Sequence, residues 1–371
     1  MDFILNEEQE EYQKLAREVA HKQLAPKAHD LDKSGETPQD VLRGIWETGL
    51  FNVQVPDAFG GLGLSCLDAA VIAEELASGC SGIASSAESN ALAILPLLQA
   101  GDEAQKAKFL KPLMDDLVLA GYAVDLYGEA PTNKVSAKRD GDTFVLSGEI
   151  ALVTNGGAAA WFVVLSDTNT LFIVERQADG VNVLEKPYLL GRRAADVRKV
   201  QLDRVKLKVT NIIGTEGGGD AVLAQVRPTA HVLLSAACIG IARSALEHAV
   251  RYAKERHTFG QPIANHQGVQ FMLADIAKDV EAARLLAWQA AALIDEGVPD
   301  AYSAAVSRSF SQNMAMRAAT DAVQIFGGYG YSKEYPVEKL MRDAKMYQLV
   351  DGTASELHVA IGRELLAPSS T

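Results

Sequence analysis

The sequence predicts a mainly α-helical protein with a small β-domain in its middle, and two changes of texture predict it. Helical periodicity runs to about residue 118. Short β-rich runs fill about 120 to 215, and helical periodicity returns after Gly217-Gly218-Gly219. Length agrees, because 371 residues suit two or three domains better than one. The expected division is a helical N-terminal domain over 1–118, a β-domain over 119–222 and a helical bundle over 223–371.

The first helix is announced by Asn6-Glu7-Glu8-Gln9, an N-cap with an acidic first turn, followed by Leu15, Val19 and Leu24 at near-helical spacing. Pro26 ends or kinks it. Pro56 to Gly63 is a turn-rich loop, and a helical pattern resumes over Leu67 to Leu76. In the middle, Thr143 to Ser147, Trp161 to Leu165, Leu171 to Val174 and Val197 to Leu207 read as strands. Between them stand the turn signals Asp140-Gly141-Asp142, Asn155-Gly156-Gly157 and Ala178-Asp179-Gly180. There is no βαβ alternation, which disfavours a Rossmann dinucleotide fold. Beyond the triple glycine, Val269, Leu273, Ile276 and Val280 keep the 3.6-residue rhythm, and Ala-rich 301–322 follows it. Helices of this length pair as a bundle and can bury a face against another chain.

A net charge of −13 leaves no basic surplus for nucleic acid. Cys66, Cys80 and Cys238 fit neither a disulfide framework nor a zinc site, which points to a reducing compartment. The N-terminus lacks the basic start and apolar core of a signal peptide. No run of about 18 uninterrupted apolar residues predicts a membrane span, so a cytoplasmic protein is expected. His231, His248, His257, His266 and His358 lack metal-ligand spacing and read as surface or polar-packing residues.

Several segments together resemble the acyl-CoA dehydrogenase family. They are Phe59-Gly60-Gly61-Leu62-Gly63-Leu64-Ser65, Glu74-Glu75-Leu76-Ala77 and Gly101-Asp102-Glu103-Ala104-Gln105-Lys106, then Glu255 to Ile263 and Gln267 to Phe271. Gln324 to Tyr331 and Tyr335-Pro336-Val337-Glu338 close the match. The resemblance implies the family's layout, a helical N-terminal domain, a barrel-like β-domain and a C-terminal four-helix bundle. It implies FAD as cofactor, an acyl-CoA substrate and an electron-transfer flavoprotein as electron acceptor. Assembly as a homodimer or homotetramer is implied, or as a heteromer with a second acyl-CoA dehydrogenase-like chain.

By the same resemblance, Arg256, Thr258 and Gln267 would meet the adenylate and diphosphate of a partner's FAD, with Gln324, Gly327 and Gly328 as the other wall. A guanidinium suits diphosphate oxygens, and glycines let backbone N–H groups approach them; read alone, Gly327-Gly328 is also a helix C-cap. Thr154 would stand near flavin N5, Thr353 and Ser355 near the cofactor, and Arg227 against the CoA nucleotide. The catalytic glutamate of most members falls at Asp351, within Val350-Asp351-Gly352-Thr353, while Val226 occupies the family's other glutamate position. Thr353-Ala354-Ser355-Glu356 is a capping-box pattern that places a helix N-terminus just after Asp351. That positive end favours the ionised carboxylate.

The chain departs from the family pattern at named positions. Val124 to Asn133 replaces a glycine-rich flavin loop and puts Asp125 where a threonine faces the flavin. Leu152 takes the place of a ring-covering tryptophan, and Ala224 that of a CoA-side aspartate. These departures resemble divergent subunits of heteromeric acyl-CoA dehydrogenases, as does Leu189 to Asp196. Three functions stay open at this point: FAD-dependent dehydrogenation, a non-catalytic subunit completing a partner's flavin site, and a non-oxidising CoA-thioester reaction.

Overall fold

The computed structural model describes residues 4–124, 135–298 and 300–366. Of the altered segment Val124 to Asn133 expected to face the flavin, all but Val124, Asp125 included, lies outside the described residues.

Helix α1 (Glu7–Val19) begins as predicted: Asn6 and Gln9 exchange backbone and side-chain hydrogen bonds at 2.9 and 3.0 Å. The chain then loosens through a π turn at Ala20–Leu24 and a 3-10 turn at Ala25–Lys27 before α2 (Ala28–Ser34). Pro26, which has no N–H for a helix interior, sits inside that break. After α3 (Gln39–Glu47), the main helix of this half is α4 (Cys66–Ala100), capped by Ser65 and Asp68.

The predicted pattern over Leu67–Leu76 is only the first third of α4. Cys80 takes extended angles (φ −166°, ψ 105°), so the helix is two segments joined at a kink. Gly79 shows why the kink lies there: a Cβ on it would stand 2.8 Å from the Ala20 carbonyl oxygen. Helices α5 (Glu103–Phe109) and α6 (Lys111–Asp115) complete the segment.

Among the described residues between Leu119 and Ile213 lie eight strands. They are β1 (Leu119–Ala123), β2 (Ser136–Asp140), β3 (Thr143–Thr154), β4 (Ala159–Leu165), β5 (Leu171–Glu175), β6 (Val181–Val183), β7 (Val197–Lys208) and β8 (Ile212–Ile213). They form two four-stranded sheets, ordered β1-β4-β5-β8 and β2-β3-β7-β6. Every pair is antiparallel except β1 with β4. The two sheets share one core, where Phe144 of β3 meets Phe172 of β5 edge to face at 5.2 Å.

Helix α7 (Gly219–Glu255) follows, then a short hairpin of β9 (His257–Thr258) and β10 (Gln261–Pro262). The bundle is completed by α8 (Gln267–Asp295), α9 (Ala301–Phe326), α10 (Pro336–Tyr347) and α11 (Ala354–Leu366). Among the described residues α7 alone is long and apolar enough to cross a membrane, but 89% of its most apolar window is buried inside the fold. It packs on α4, α8, α9 and α10, and so it is the core helix of the bundle. The three cysteines are buried and unpaired.

Candidate active site

Asp351 sits in the short turn between α10 and α11 with a left-handed backbone (φ 49°). The predicted capping box is present: the Thr353 N–H donates to Glu356 Oε2 at 2.7 Å, and the Glu356 N–H donates to Thr353 Oγ1 at 3.3 Å. Helix α11 therefore opens just past Asp351, and the carboxylate lies at its positive end. Behind the turn, Arg308 of α9 donates to the carbonyls of Tyr347 and Val350 at 2.5 and 2.7 Å.

Composition and spacing gave His231 no role, yet it is the α7 residue that faces Asp351. Its Nε2 lies 3.6 Å from Asp351 Oδ2, with the two side chains only 7% and 10% exposed. Burial pushes the imidazole pKa down to about 4. The neighbouring Asp351 charge raises it, and Arg308 and Arg227 add to the lowering. The ring is thus neutral near pH 7, a polar neighbour that does not compete with the carboxylate for a proton. Tyr122 of β1 joins them: its phenol is held protonated mainly by burial and then by the Asp351 charge. Arg227 is exposed, one helical turn before His231, and within electrostatic reach of both His231 and Tyr122. Val226 is buried and offers no carboxylate.

A neutral buried histidine has a consequence for stability. Its folded pKa of about 4 lies below the unfolded value of roughly 6.5. The unfolded chain therefore binds the extra proton first as pH falls, and stability is lost between about pH 6.5 and pH 4. Denaturant unfolding followed across that range should show the decline, and His231→Gln should reduce its slope. An unchanged slope in the variant would contradict a neutral His231.

Glu88 of α4 ties this corner to the sheets. It accepts from Tyr347 Oη at 2.6 Å and from Arg192 at 2.7 Å, while the Arg192 guanidinium lies 4.8 Å from the centre of the Tyr347 ring. The next residue, Ser89, donates to the carbonyls of Ala120 and Thr154 at 3.2 and 3.1 Å. Asn155 is buried and donates to the carbonyls of Ser86 and Ala120. Through these bonds Thr154, at the end of β3, and Tyr347, at the end of α10, are tied to the same stretch of α4. Leu152 lies half-buried on β3.

Glu88 also lines a narrow cavity of about 50 Å³ between α4, α7 and residues 50–54. Its walls include Leu50, Ile72, Leu76, Ile94, Leu233 and Ala237, and its polar positions are Asn52, Gln54 and Glu88. An apolar slot with a few polar groups suits a small apolar chain.

A second concavity lies on the surface and is lined by Tyr252, Arg256, Thr258, Ile263, Phe326, Gly327, Gly328 and Tyr329. Gly327 ends α9 with φ 59°, so the C-cap reading is correct locally. A Cβ added at Gly327 or Gly328 would meet nothing within 4 Å, so this backbone borders open space. Arg256 lies 5.5 Å from the Tyr329 ring centre, and no carboxylate is within ion-pair distance of it among the described residues. Thr258 Oγ1 and His266 Nε2 are 3.1 Å apart. An exposed guanidinium, a hydroxyl and bare glycine backbone on one groove fit a diphosphate. Gln267 and Gln324 are exposed at the adjoining ends of α8 and α9 and do not line this groove. Ser355 is exposed in the first turn of α11, apart from it.

Residues 6–116 match the family model for the acyl-CoA dehydrogenase N-terminal domain, and residues 225–366 match that for the C-terminal domain. Over 99% of its length the chain is 36% identical to a probable medium-chain specific acyl-CoA dehydrogenase 2, mitochondrial, of Caenorhabditis briggsae, covering 92% of that protein. Its fold superposes on butyryl-CoA dehydrogenase of Megasphaera elsdenii with a TM-score of 0.93 and 33% identity, covering 99% of this chain and 100% of that one. It also superposes, at TM-score 0.94 and 32% identity, on a chain from the structural study of the electron transferring flavoprotein of Acidaminococcus fermentans, covering 99% and 100%. With both helical domains matched and the likeness running the length of the chain, this protein belongs to the acyl-CoA dehydrogenase family.

Proposed function

We propose that the chain binds FAD and oxidises an acyl-CoA thioester between its α and β carbons, with Asp351 as the base. The observation that carries this is the Asp351 carboxylate, nearly out of water, beside a neutral His231 and a protonated Tyr122. A thioester activates its α C–H, and a carboxylate within reach can remove that proton. The flavin, when bound, supplies the acceptor for the β-hydride. His231 and Tyr122 exclude water and leave Asp351 as the group that takes the proton. The apolar slot beside Glu88 receives the acyl chain, and Arg227, exposed on the same stretch of α7, faces the CoA.

The groove of Arg256, Thr258, Gly327 and Gly328 is open to solvent, which supports its completion by a second subunit. Gln267, Gln324, Thr353 and Ser355 belong to the same cofactor-facing surface in this reading, with Thr154 nearer the reacting end. Assembly is a homodimer or homotetramer; a heteromer with a second acyl-CoA dehydrogenase-like chain would use the same face. The exposed apolar residues Phe259, Phe271 and Leu285 around α8 support it. Electrons leave to an electron-transfer flavoprotein, in a cytoplasmic setting that the unpaired buried thiols favour.

The test is anaerobic. The purified protein should carry flavin absorbance, and adding a short acyl-CoA should bleach it with formation of the 2-enoyl product. Flavin that stays oxidised while product forms would overturn the oxidation in favour of a non-oxidising reaction. A colourless protein that gains flavin only with a second chain would make it a non-catalytic subunit.

A further inference from the structure

Arg308 is fully buried in the N-terminal third of α9, beside Ser307 and Ser311, which are buried as well. No carboxylate lies within ion-pair distance of it among the described residues. Its Nη2 donates to the carbonyls of Tyr347 and Val350, and its Nη1 to the sulfur of Cys238 at 3.5 Å. Burying an arginine without a counter-ion is costly, and neutral donors could satisfy two carbonyls at the end of a helix. The placement therefore asks for a further reason.

We infer that Arg308 is a positioning residue for the reaction: its guanidinium grips the last carbonyl of α10 and the carbonyl of Val350, and so fixes where the Asp351 carboxylate points. This rests on Asp351 being the base, as proposed above. The carbonyl of Val350 belongs to the peptide unit that leads directly into Asp351. That residue and Gly352 both have positive φ, 49° and 109°, a run that needs its surroundings to hold it. The planar fork of arginine reaches both carbonyls at once, whereas a lysine ammonium is a single point without that geometry. The guanidinium charge also reaches the site, since it is among the causes that keep His231 neutral. The group in contact with Asp351 is His231 from α7, with Tyr122 of β1 within reach of its charge and Arg227 of α7 within electrostatic reach of both; Arg308 acts from behind, through the backbone.

The experiment uses the flavin-loaded protein carrying Arg308→Lys or Arg308→Ala. Arg308→Lys should lower kcat on the order of 10²-fold while KM for acyl-CoA moves less than about threefold, because geometry at the base is lost and not the binding surface. Added guanidinium should restore kcat of Arg308→Ala by roughly tenfold or more, by refilling the clamp. Independently of turnover, amide exchange at residues 349–353 should quicken in Arg308→Lys while the rest of α9 keeps its protection. If Arg308→Ala does not fold, Arg308→Lys and its exchange pattern decide alone. A kcat for Arg308→Lys within about twofold of the parent, or a loss carried by KM, overturns the inference. Absence of dehydrogenation in the parent overturns the proposed function instead; unchanged exchange at 349–353 would then overturn the clamp on its own.

Discussion

Asp351→Asn should abolish acyl-CoA oxidation, with a loss on the order of 10³-fold in the rate of flavin bleaching, while flavin content and thermal stability stay close to the parent. The amide keeps the size and can still sit at the start of α11, but it cannot accept the proton. Asp351→Glu is the informative companion. It adds one methylene to a carboxylate whose backbone is held at φ 49°. A displacement near 1 Å costs on the order of 10²-fold, so glutamate should be slower than aspartate in this turn even though it is a good base. Stopped-flow reduction by acyl-CoA separates the two variants. An Asp351→Asn protein that bleaches at the parent rate would remove Asp351 from the mechanism.

The largest stability effect should come from the buried pair Lys339–Asp343 on α10. Asp343 is fully buried and accepts from Lys339 Nζ at 2.5 Å, the Arg192 N–H at 2.5 Å and Ser81 Oγ at 2.8 Å. Burial alone would push its carboxyl up; the Lys339 charge and these three donors outweigh it and hold the pKa below its ordinary value. Lys339→Met leaves that carboxylate buried without its cation and should cost about 3–5 kcal/mol, read as a fall in the denaturant midpoint. The sign with pH follows from a lowered carboxylate pKa. The stabilisation is present above the unfolded value near 4 and is lost as pH falls through the folded one. A Lys339→Met loss below about 1 kcal/mol would mean that water or a rearrangement reaches Asp343.

Much of the fold was legible because its signals are periodic and local. The Asn6 cap, the strand runs ending at Leu165 and Leu207 and the capping box at Thr353 appear where the residues put them. Helix α4 was not legible at full length: the helical pattern was read only over Leu67–Leu76, while the helix runs on past a kink at Cys80, packed against α1 and α7. The resemblance singled out Asp351 as the candidate base and Arg256, Thr258, Gly327 and Gly328 as candidate cofactor contacts, and the last four line one groove. Some 70 residues separate the two pairs, and no local pattern announces that they share a groove.

His231 and Arg308 were missed for a physical reason. One polar residue in an apolar helix, and one arginine in Ser307-Arg308-Ser309, look like polar packing or surface until the neighbours are known. A faint signal existed in α9, where Ser307, Arg308, Ser311 and Gln312 repeat at helical spacing between apolar turns.

The kink at Cys80 gives α4 two independent phases. Before it, Glu74 and Glu75 turn toward Arg243, Arg284 and Arg17; after it, Glu88, Ser89 and Asn90 turn toward the sheets and the α10–α11 turn. In an unbroken helix, adding one residue would rotate everything beyond it by about 100°. With a joint at residue 80, the two halves need not share one helical phase, and each presents its own face to its own neighbours. Helix α4 thus couples two neighbourhoods by position without coupling them by rotation.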